Sequence, residues 1–265
     1  MHSGRHAALI DPALLPDEVE DIAAFCEQKH LEVEFVVITH HHWDHVLGAA
    51  RFPGARIVTH QAYLAETAFE LEHTRSAIRR FYEAQGVAVT APFVPPVPEF
   101  TFDRGATIQA GRMSIDVIHT PGHARDHASL YDTSSALLWA GDLLSNLEIP
   151  FVSDRLDAFE RTLDLFAAMD IRVLVPGHGS VTRSSSEIRR RIAADRRYLA
   201  GLRARIEPVV QAGGSVQDAA SACAGMVFRN PAANAEPHAM NVEQVFLEFG
   251  GSAPPNTLLG WSREL

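Results

Sequence analysis

Short apolar runs alternate with amphipathic stretches along most of the chain. Runs of apolar and β-branched residues predict strands, and apolar residues that recur every three or four positions predict helices. This pattern predicts strands at 7–10, 35–38, 56–59, 107–109, 113–118, 128–131, 136–140 and 172–175. It predicts helices at 16–29, 61–84 and 156–169. Strands that alternate with helices are typical of an α/β core.

The pattern changes near residue 184. Helical spacing of apolar residues predicts a long Arg-rich helix that ends near Gly213, followed by shorter helices near 215–224 and 241–249. Within the preceding part, residues 91–98 hold four prolines, which predicts an extended loop. We therefore expect an α/β core over residues 1–183 and a helical C-terminal region over residues 184–265.

Composition narrows the class of protein. The 265 residues are 46% hydrophobic and 21% charged, which is typical of a globular protein and not of a disordered one. The formal net charge of −10 disfavours nucleic-acid partners. Two distant cysteines predict a reducing compartment, and no apolar run reaches the roughly 18 residues that span a bilayer. We expect a cytoplasmic protein without nucleic-acid or membrane partners.

The 14 histidines are clustered along the chain. The segment Thr39-His40-His41-His42-Trp43-Asp44-His45 contains the pattern H-x-H-x-D-H directly after a predicted buried strand. Side chains two positions apart beyond a strand project to the same side, so His40 and His42 are expected to act together. Imidazole and carboxylate groups are ligands that zinc accepts. The segment therefore predicts a metal site.

Three later segments repeat one arrangement, in which an apolar strand is followed by a turn and then by a potential ligand. The turns Thr120-Pro121-Gly122, Gly141 and Pro176-Gly177 lead to His123, Asp142 and His178, respectively. Loops held by a rigid sheet are where functional residues tend to lie. Four strands are thus expected to present ligands from loops at their carboxyl ends.

The motifs THHHWDH, TPGH, GD and PGHG, in this order between residue 7 and about residue 180, resemble the metallo-β-lactamase-fold superfamily, in the branch that includes glyoxalase II and lactonases. The resemblance implies a four-layer αββα sandwich. It implies two divalent metal ions, with zinc expected and iron or manganese as alternatives. In that pattern the first metal binds His40, His42 and His123, the second binds Asp44, His45 and His178, and Asp142 bridges both.

The resemblance further implies a hydrolase that attacks a small-molecule ester, thioester or lactone with a metal-bridging hydroxide. Asp142 is expected to bridge the two metals, and Asp44 is expected to bind one metal and to orient the hydroxide. These two are the candidate catalytic residues. Asp142 stands where typical zinc β-lactamases have Cys, which argues against antibiotic hydrolysis. Three alternatives stay open: a persulfide dioxygenase-like oxidoreductase with a single iron, a metal-dependent nuclease or phosphodiesterase, and a non-catalytic metal-binding protein.

Other residues near the motifs have weaker assignments. Asp11, after a strand, is expected to hydrogen-bond a ligand loop, and His127 to contact a ligand or the substrate. His41 is expected to point away from the metals and His119 to lie in the core or behind a ligand. The remaining histidines are read as surface residues, namely His2, His6, His30, His60, His73 and His238.

The amino-terminal part departs from the family. Members usually have several strands before the Ile-Asp element, whereas only about six residues precede it here, so the N-terminal strands are expected to be shortened. An open sheet edge favours association. We therefore expect a truncated start, a reduced first layer or a homodimer. Ala13 stands where Gly often follows the Asp-Pro element.

Overall fold

The computed structural model describes residues 1–89 and 91–252, which form two compact units. Of these described residues, the first unit comprises those within Met1–His119 and Asp126–Thr133, and the second comprises Thr120–Arg125 and residues 134–252. The elements of the first unit are β1 (His2–Ser3), β2 (His6–Ile10), α1 (Pro16–Gln28), β3 (Glu32–Val37), α2 (Trp43–Val46), β4 (Arg56–His60), α3 (Tyr63–Ala84), β5 (Phe100–Phe102), β6 (Gly105–Ala110), β7 (Met113–His119) and β8 (Ala128–Asp132). Those of the second unit are β9 (Leu137–Trp139), α4 (Leu156–Ala168), β10 (Val173–Val175), α5 (Ser185–Gln211), α6 (Val216–Cys223) and α7 (Ala235–Glu248).

The first unit contains a sheet in the order β1-β2-β3-β4-β5. All neighbours are parallel except β1, which pairs antiparallel with β2 and contributes only two residues. Leu9 of β2 lies opposite Val36 of β3, and Val36 lies opposite Ile57 of β4. Parallel neighbours require crossover connections, and the helix α1 supplies the one between β2 and β3. The carboxyl ends of β2 and β3 consequently lie side by side.

The core of this unit forms between the sheet and α1. Val19 and Ala23 of α1 pack with Val36 and Ile38 in one buried cluster. Burial of such apolar surface is the main force that holds a helix against a sheet. The strands β6, β7 and β8 form a separate antiparallel meander in the same unit, with Ile108 opposite Ile115.

In the second unit, β9 pairs parallel with β10, and Leu138 lies opposite Leu174. The apolar stripe predicted for α4 is buried, with Leu156, Phe159, Leu163 and Phe166 each at most 1% exposed. The long helix α5 likewise buries one face, including Leu199 and Leu202. Apolar periodicity therefore predicted both helices correctly.

Four short elements among the described residues were not predicted, namely β1, α2, a 3-10 helix at Gly48–Arg51 and β5. Each has two to four residues, too few to show a period. The helix α7 also begins at Ala235 and not near 241, because Pro237 is acceptable in a first turn, where the backbone N–H needs no partner. Of the predicted C-terminal helical region, residues 253–265 lie outside the described residues. Among the residues described, no helix is both long and apolar enough for a membrane span.

Candidate metal centre

The first set of candidate ligands follows β3. Nε2 of His40 lies 3.0 Å from Nδ1 of His42, so these two side chains project to the same side as predicted. Asp44 and His45 follow on the single turn of α2, where Nε2 of His45 lies 3.6 Å from Oδ2 of Asp44. The rings of His40 and His45 have centroids 4.1 Å apart. The first unit therefore brings all four of its predicted ligands into one cluster.

Asp11 supports this cluster from the end of the neighbouring strand β2. Its Oδ1 accepts a hydrogen bond from the backbone N–H of Thr39 at 2.8 Å, and its Oδ2 accepts from Oγ1 of Thr39 at 2.6 Å. The same Oδ2 lies 2.8 Å from Nδ1 of His45, which must donate because a carboxylate only accepts. The expected contact between Asp11 and the ligand loop is confirmed.

These bonds determine which ring nitrogens remain for a metal. Oγ1 of Thr39 gives its proton to Asp11 and accordingly accepts from Nδ1 of His40 at 3.0 Å. His40 and His45 both carry their proton on Nδ1, which leaves Nε2 as the ligand atom. Ligating histidines typically have this arrangement, in which the second ring nitrogen donates to a carboxylate or other acceptor.

The second set of candidate ligands lies in the second unit. Oδ2 of Asp142 lies 3.5 Å from Nε2 of His123 and also 3.5 Å from Nε2 of His178. Nδ1 of His123 donates to the carbonyl oxygen of Phe151 at 2.9 Å, so this imidazole too presents Nε2. One carboxylate oxygen is therefore flanked by two imidazole nitrogens.

Two glycines allow the backbone of these loops to approach its neighbours. Gly122 has φ of +123°, and a Cβ there would lie 2.3 Å from backbone atoms of Phe159 on α4. A Cβ on Gly177 would lie 2.6 Å from Oδ1 of Asp142. Only glycine fits at position 122, and a side chain at position 177 would displace the carboxylate of Asp142. The two Gly-His turns predicted from the sequence thus have a direct steric reason.

The donor atoms in both sets fit a metal. Two donors that bind one tetrahedral ion at about 2.1 Å lie about 3.4 Å apart. The four separations, between 3.0 and 3.6 Å, are close to this value. The donors are imidazole nitrogens and carboxylate oxygens, which suit zinc, iron or manganese. Both sets therefore fit divalent cations in chemistry and in spacing.

His41 has a role that the sequence analysis missed. It is buried with two carboxylates: Nδ1 lies 2.7 Å from Oδ1 of Asp126 and Nε2 lies 3.1 Å from Oε2 of Glu70. Burial by itself lowers the pKa of His41, yet the two carboxylates outweigh it and raise the pKa to about 10. The imidazolium thus links the ligand loop to α3 and to the start of β8. No apolar stripe in the sequence marks Glu70, because it lies on a buried face of α3 with polar residues such as Thr67 and Thr74.

The expectation that His60 lies on the surface was wrong. His60 is buried at the end of β4, where Nε2 donates to the carbonyl of Asp103 at 2.8 Å and the ring stacks on His119 with centroids 4.0 Å apart. Central parallel strands are buried on both faces, so Val58, Thr59 and His60 are all buried without alternation. His127 is fully buried, with its ring centroid 5.1 Å from that of His40.

Residues 2–178 match the sequence profile of the metallo-beta-lactamase superfamily. The chain belongs to this superfamily. A solved structure with the same fold is a metallo-beta-lactamase family protein from Thermus thermophilus, with a TM-score of 0.60 and 23% identity over 79% of this chain and 76% of that one. The predicted resemblance and the predicted α/β sandwich class with a helical C-terminal part are both confirmed.

Two relatives are named hydroxyacylglutathione hydrolase. The one from Acidiphilium cryptum is 29% identical over 215 residues, which are 79% of this chain and 74% of the relative. The one from Francisella tularensis subsp. novicida is 26% identical over 150 residues, 55% of this chain and 46% of the relative. The chain spans about half the length of some curated relatives it matches. The predicted class, a metal-dependent hydrolase of this superfamily, agrees with these names.

Proposed function

We propose that this chain is a dinuclear metal hydrolase that cleaves a small-molecule thioester, lactone or other ester. The first metal would bind His40, His42 and His123, and the second would bind Asp44, His45 and His178, with Asp142 bridging both. Residues 1–183 would form the metal-binding core and residues 184–265 a helical C-terminal region.

The observation that carries the proposal is the position of Asp142. Its Oδ2 lies 3.5 Å from Nε2 of His123 and 3.5 Å from Nε2 of His178, and each separation fits two ligands of one ion. In the proposed site each imidazole binds a different ion, so this oxygen would bridge the two ions. The protonation of His40, His45 and His123 on Nδ1 supports the same assignment, because each presents a basic Nε2.

Two divalent ions in this arrangement would supply an acidified water as nucleophile and polarise the substrate carbonyl. The side chains of the chain have three tasks. Asp142 and the histidines hold the metals, Asp44 accepts a hydrogen bond that orients the attacking water, and Asp11 keeps His45 in the correct tautomer. Two relatives named for the hydrolysis of an acylglutathione favour a thioester among the candidate substrates.

Zinc is our proposed metal, because imidazole and carboxylate donors at tetrahedral spacing suit it. The cytoplasmic location also stays a proposal; both cysteines, Cys26 and Cys223, are free and buried, as a reducing compartment would leave them. The predicted homodimer remains a prediction.

The test is metal content per chain, by elemental mass spectrometry on protein purified without added metal, together with hydrolysis of thioester, lactone and phosphodiester panels. We expect about two zinc ions per chain, and hydrolysis of thioesters or lactones that a chelator abolishes and zinc restores. Asp142→Ala should lose metal and hydrolysis. The control Asp170→Ala, whose side chain is 67% exposed and pairs with Arg172, should keep both.

Other outcomes would replace the proposal. About one iron per chain with consumption of oxygen would indicate the dioxygenase. Cleavage restricted to phosphodiesters would indicate the nuclease. Two metals without turnover on any panel would indicate a metal-binding protein, and full hydrolysis by Asp142→Ala would disprove the bridging role.

A further inference from the structure

The helix α7 carries three polar side chains that bind the backbone of a single segment, residues 150–156. Asn241, Gln244 and Glu248 recur at helical spacing, so they lie on one face of α7. Gln244 Nε2 donates to the carbonyl of Asp154 at 2.8 Å, and Oε2 of Glu248 accepts from the N–H of Leu156 at 2.7 Å. This face therefore holds the segment in place by side chain to backbone bonds.

Asn241 makes the central contact. Its Oδ1 accepts from the N–H of Val152 at 2.7 Å, and its Nδ2 donates to the carbonyl of Pro150 at 2.7 Å. Nδ2 also donates to the hydroxyl of Tyr198 on α5 at 3.0 Å, which leaves the Tyr198 proton for Nδ1 of His238 at 2.8 Å. Asn241 is fully buried, and these bonds satisfy its amide and fix the amide orientation.

The residue between Pro150 and Val152 is Phe151, and its carbonyl is the acceptor for Nδ1 of His123 at 2.9 Å. The N–H of Ser153 further donates to the carbonyl of His123 at 3.0 Å. Because a carbonyl oxygen only accepts, this contact requires the proton of His123 on Nδ1 and leaves Nε2 on the side of Asp142. Asn241 accepts from the N–H of Val152, which belongs to the same peptide group as the Phe151 carbonyl, and it donates to the carbonyl of the preceding peptide group.

We propose that Asn241 is a positioning residue for His123: it fixes the Phe151 carbonyl, which sets the tautomer and orientation of the imidazole. The inference rests on the proposed metal-binding role of His123. Asn241 lies well beyond residue 178, where the match to the family profile ends. The C-terminal helices of this chain thus take part in building the metal centre, and their loss would loosen a ligand that lies outside them.

The test compares Asn241→Leu and Asn241→Asp with the wild type. Leu has a similar volume but no polar atom, whereas Asp keeps the acceptor for Val152 and places an oxygen against the Pro150 carbonyl. The matched control is Val245→Ala, which removes buried apolar volume one turn further along α7 and leaves all of these hydrogen bonds in place.

Two readouts are needed. The first is the ¹⁵N NMR signature of the His123 ring in metal-free protein, assigned with His123→Gln. Wild type and Val245→Ala should show the Nδ1-protonated tautomer, and both Asn241 variants a mixture of tautomers. The second is zinc affinity in competition with a chromophoric chelator: one of two zinc ions should bind about 10- to 100-fold more weakly in the Asn241 variants and unchanged in Val245→Ala.

Three results would overturn the inference. The first is that Asn241→Leu or Asn241→Asp has the same His123 tautomer and the same zinc affinity as the wild type. The second is an equal loss of zinc affinity in Val245→Ala, which would indicate general loosening of α7. The third is His123 protonated on Nε2 in the wild type, a measurement that is decisive even if both Asn241 variants fail to fold. Because the tautomer is read without metal, a wild type that binds no zinc would count against the proposed function alone.

Discussion

Nδ1 of His45 lies 2.8 Å from Oδ2 of Asp11, although 34 residues separate the two along the chain. Asp11 ends one parallel strand and the loop that carries His45 follows the next, so the sheet brings them together. The same carboxylate accepts both the N–H and the hydroxyl of Thr39, and it thereby ties the start of the ligand loop to its last ligand.

Asp11→Ala should weaken the binding of one zinc ion about 10- to 100-fold, because His45 loses the acceptor that fixes its tautomer. Titration of metal-free protein with zinc in a calorimeter measures the change. Asp21→Ala, at an exposed position of α1, serves as the control and should bind zinc as the wild type does. Unchanged binding by Asp11→Ala would show that His45 needs no such partner.

Gly122→Ala should destabilise the fold by about 3 kcal/mol or more, because an L side chain at this φ is strained and its Cβ would overlap the backbone of Phe159. Urea denaturation followed by circular dichroism gives the free energy of unfolding. Gly54→Ala is the matched control, since a Cβ there has no atom within 4 Å. Equal stability of the two variants would contradict the close approach of this turn to α4.

Ala13→Gly should stabilise the protein. Ala13 has φ of +66°, and a left-handed conformation costs an L residue about 1–2 kcal/mol. The greater conformational freedom of glycine in the unfolded chain offsets about 0.4–1 kcal/mol of this gain in the free energy of unfolding. We expect a net gain of about 0.5–1 kcal/mol, measurable as a higher Tm. The control Ala24→Gly, at an exposed helical position of α1, should lower the Tm, because glycine is a poor helix former. A lower Tm in both variants would refute the strain at Ala13.

Asp195 should make stability depend on pH. Burial raises the pKa of its carboxyl from 3.8 to about 7, although Arg229 and Arg191 favour the ionised form. The folded state consequently holds this proton more tightly than the unfolded state, so the contribution of Asp195 is complete below pH 3.8 and is lost as the pH rises to about 7. The wild type should therefore lose stability relative to Asp195→Asn over this range.

Urea denaturation of both proteins at several pH values between 4 and 8 tests this prediction. The two proteins share all other titratable groups, so the difference between their free energies of unfolding reports the contribution of Asp195. As a control, Asp170→Asn removes an exposed carboxylate, and its free energy of unfolding should differ from that of the wild type by a nearly constant amount over this pH range. A constant difference between wild type and Asp195→Asn would mean that Arg229 keeps Asp195 ionised throughout.

The chain's local patterns were sufficient for much of the fold and for the candidate ligands. Apolar periodicity located α4 and α5, because a helix repeats its buried face every few residues, and the apolar runs located most strands. The ligand motifs were recognisable because each follows a strand end, and because His123 and His178 each follow a turn that contains a glycine in close contact with its neighbours, Gly122 and Gly177.

The groups that orient the ligands depended on the tertiary structure. Asn241 reaches Val152 across 89 residues and His41 reaches Asp126 across 85, and no local period relates such positions. His60 looked like a surface residue because a lone histidine in a strand carries no sign of which faces the sheet will cover. Short-range physics thus determined where helices, strands and ligand turns form along this chain. Packing of distant elements decided which side chains hydrogen-bond the ligands and their loops, because residues far apart in sequence come within hydrogen-bond distance only after the chain has folded.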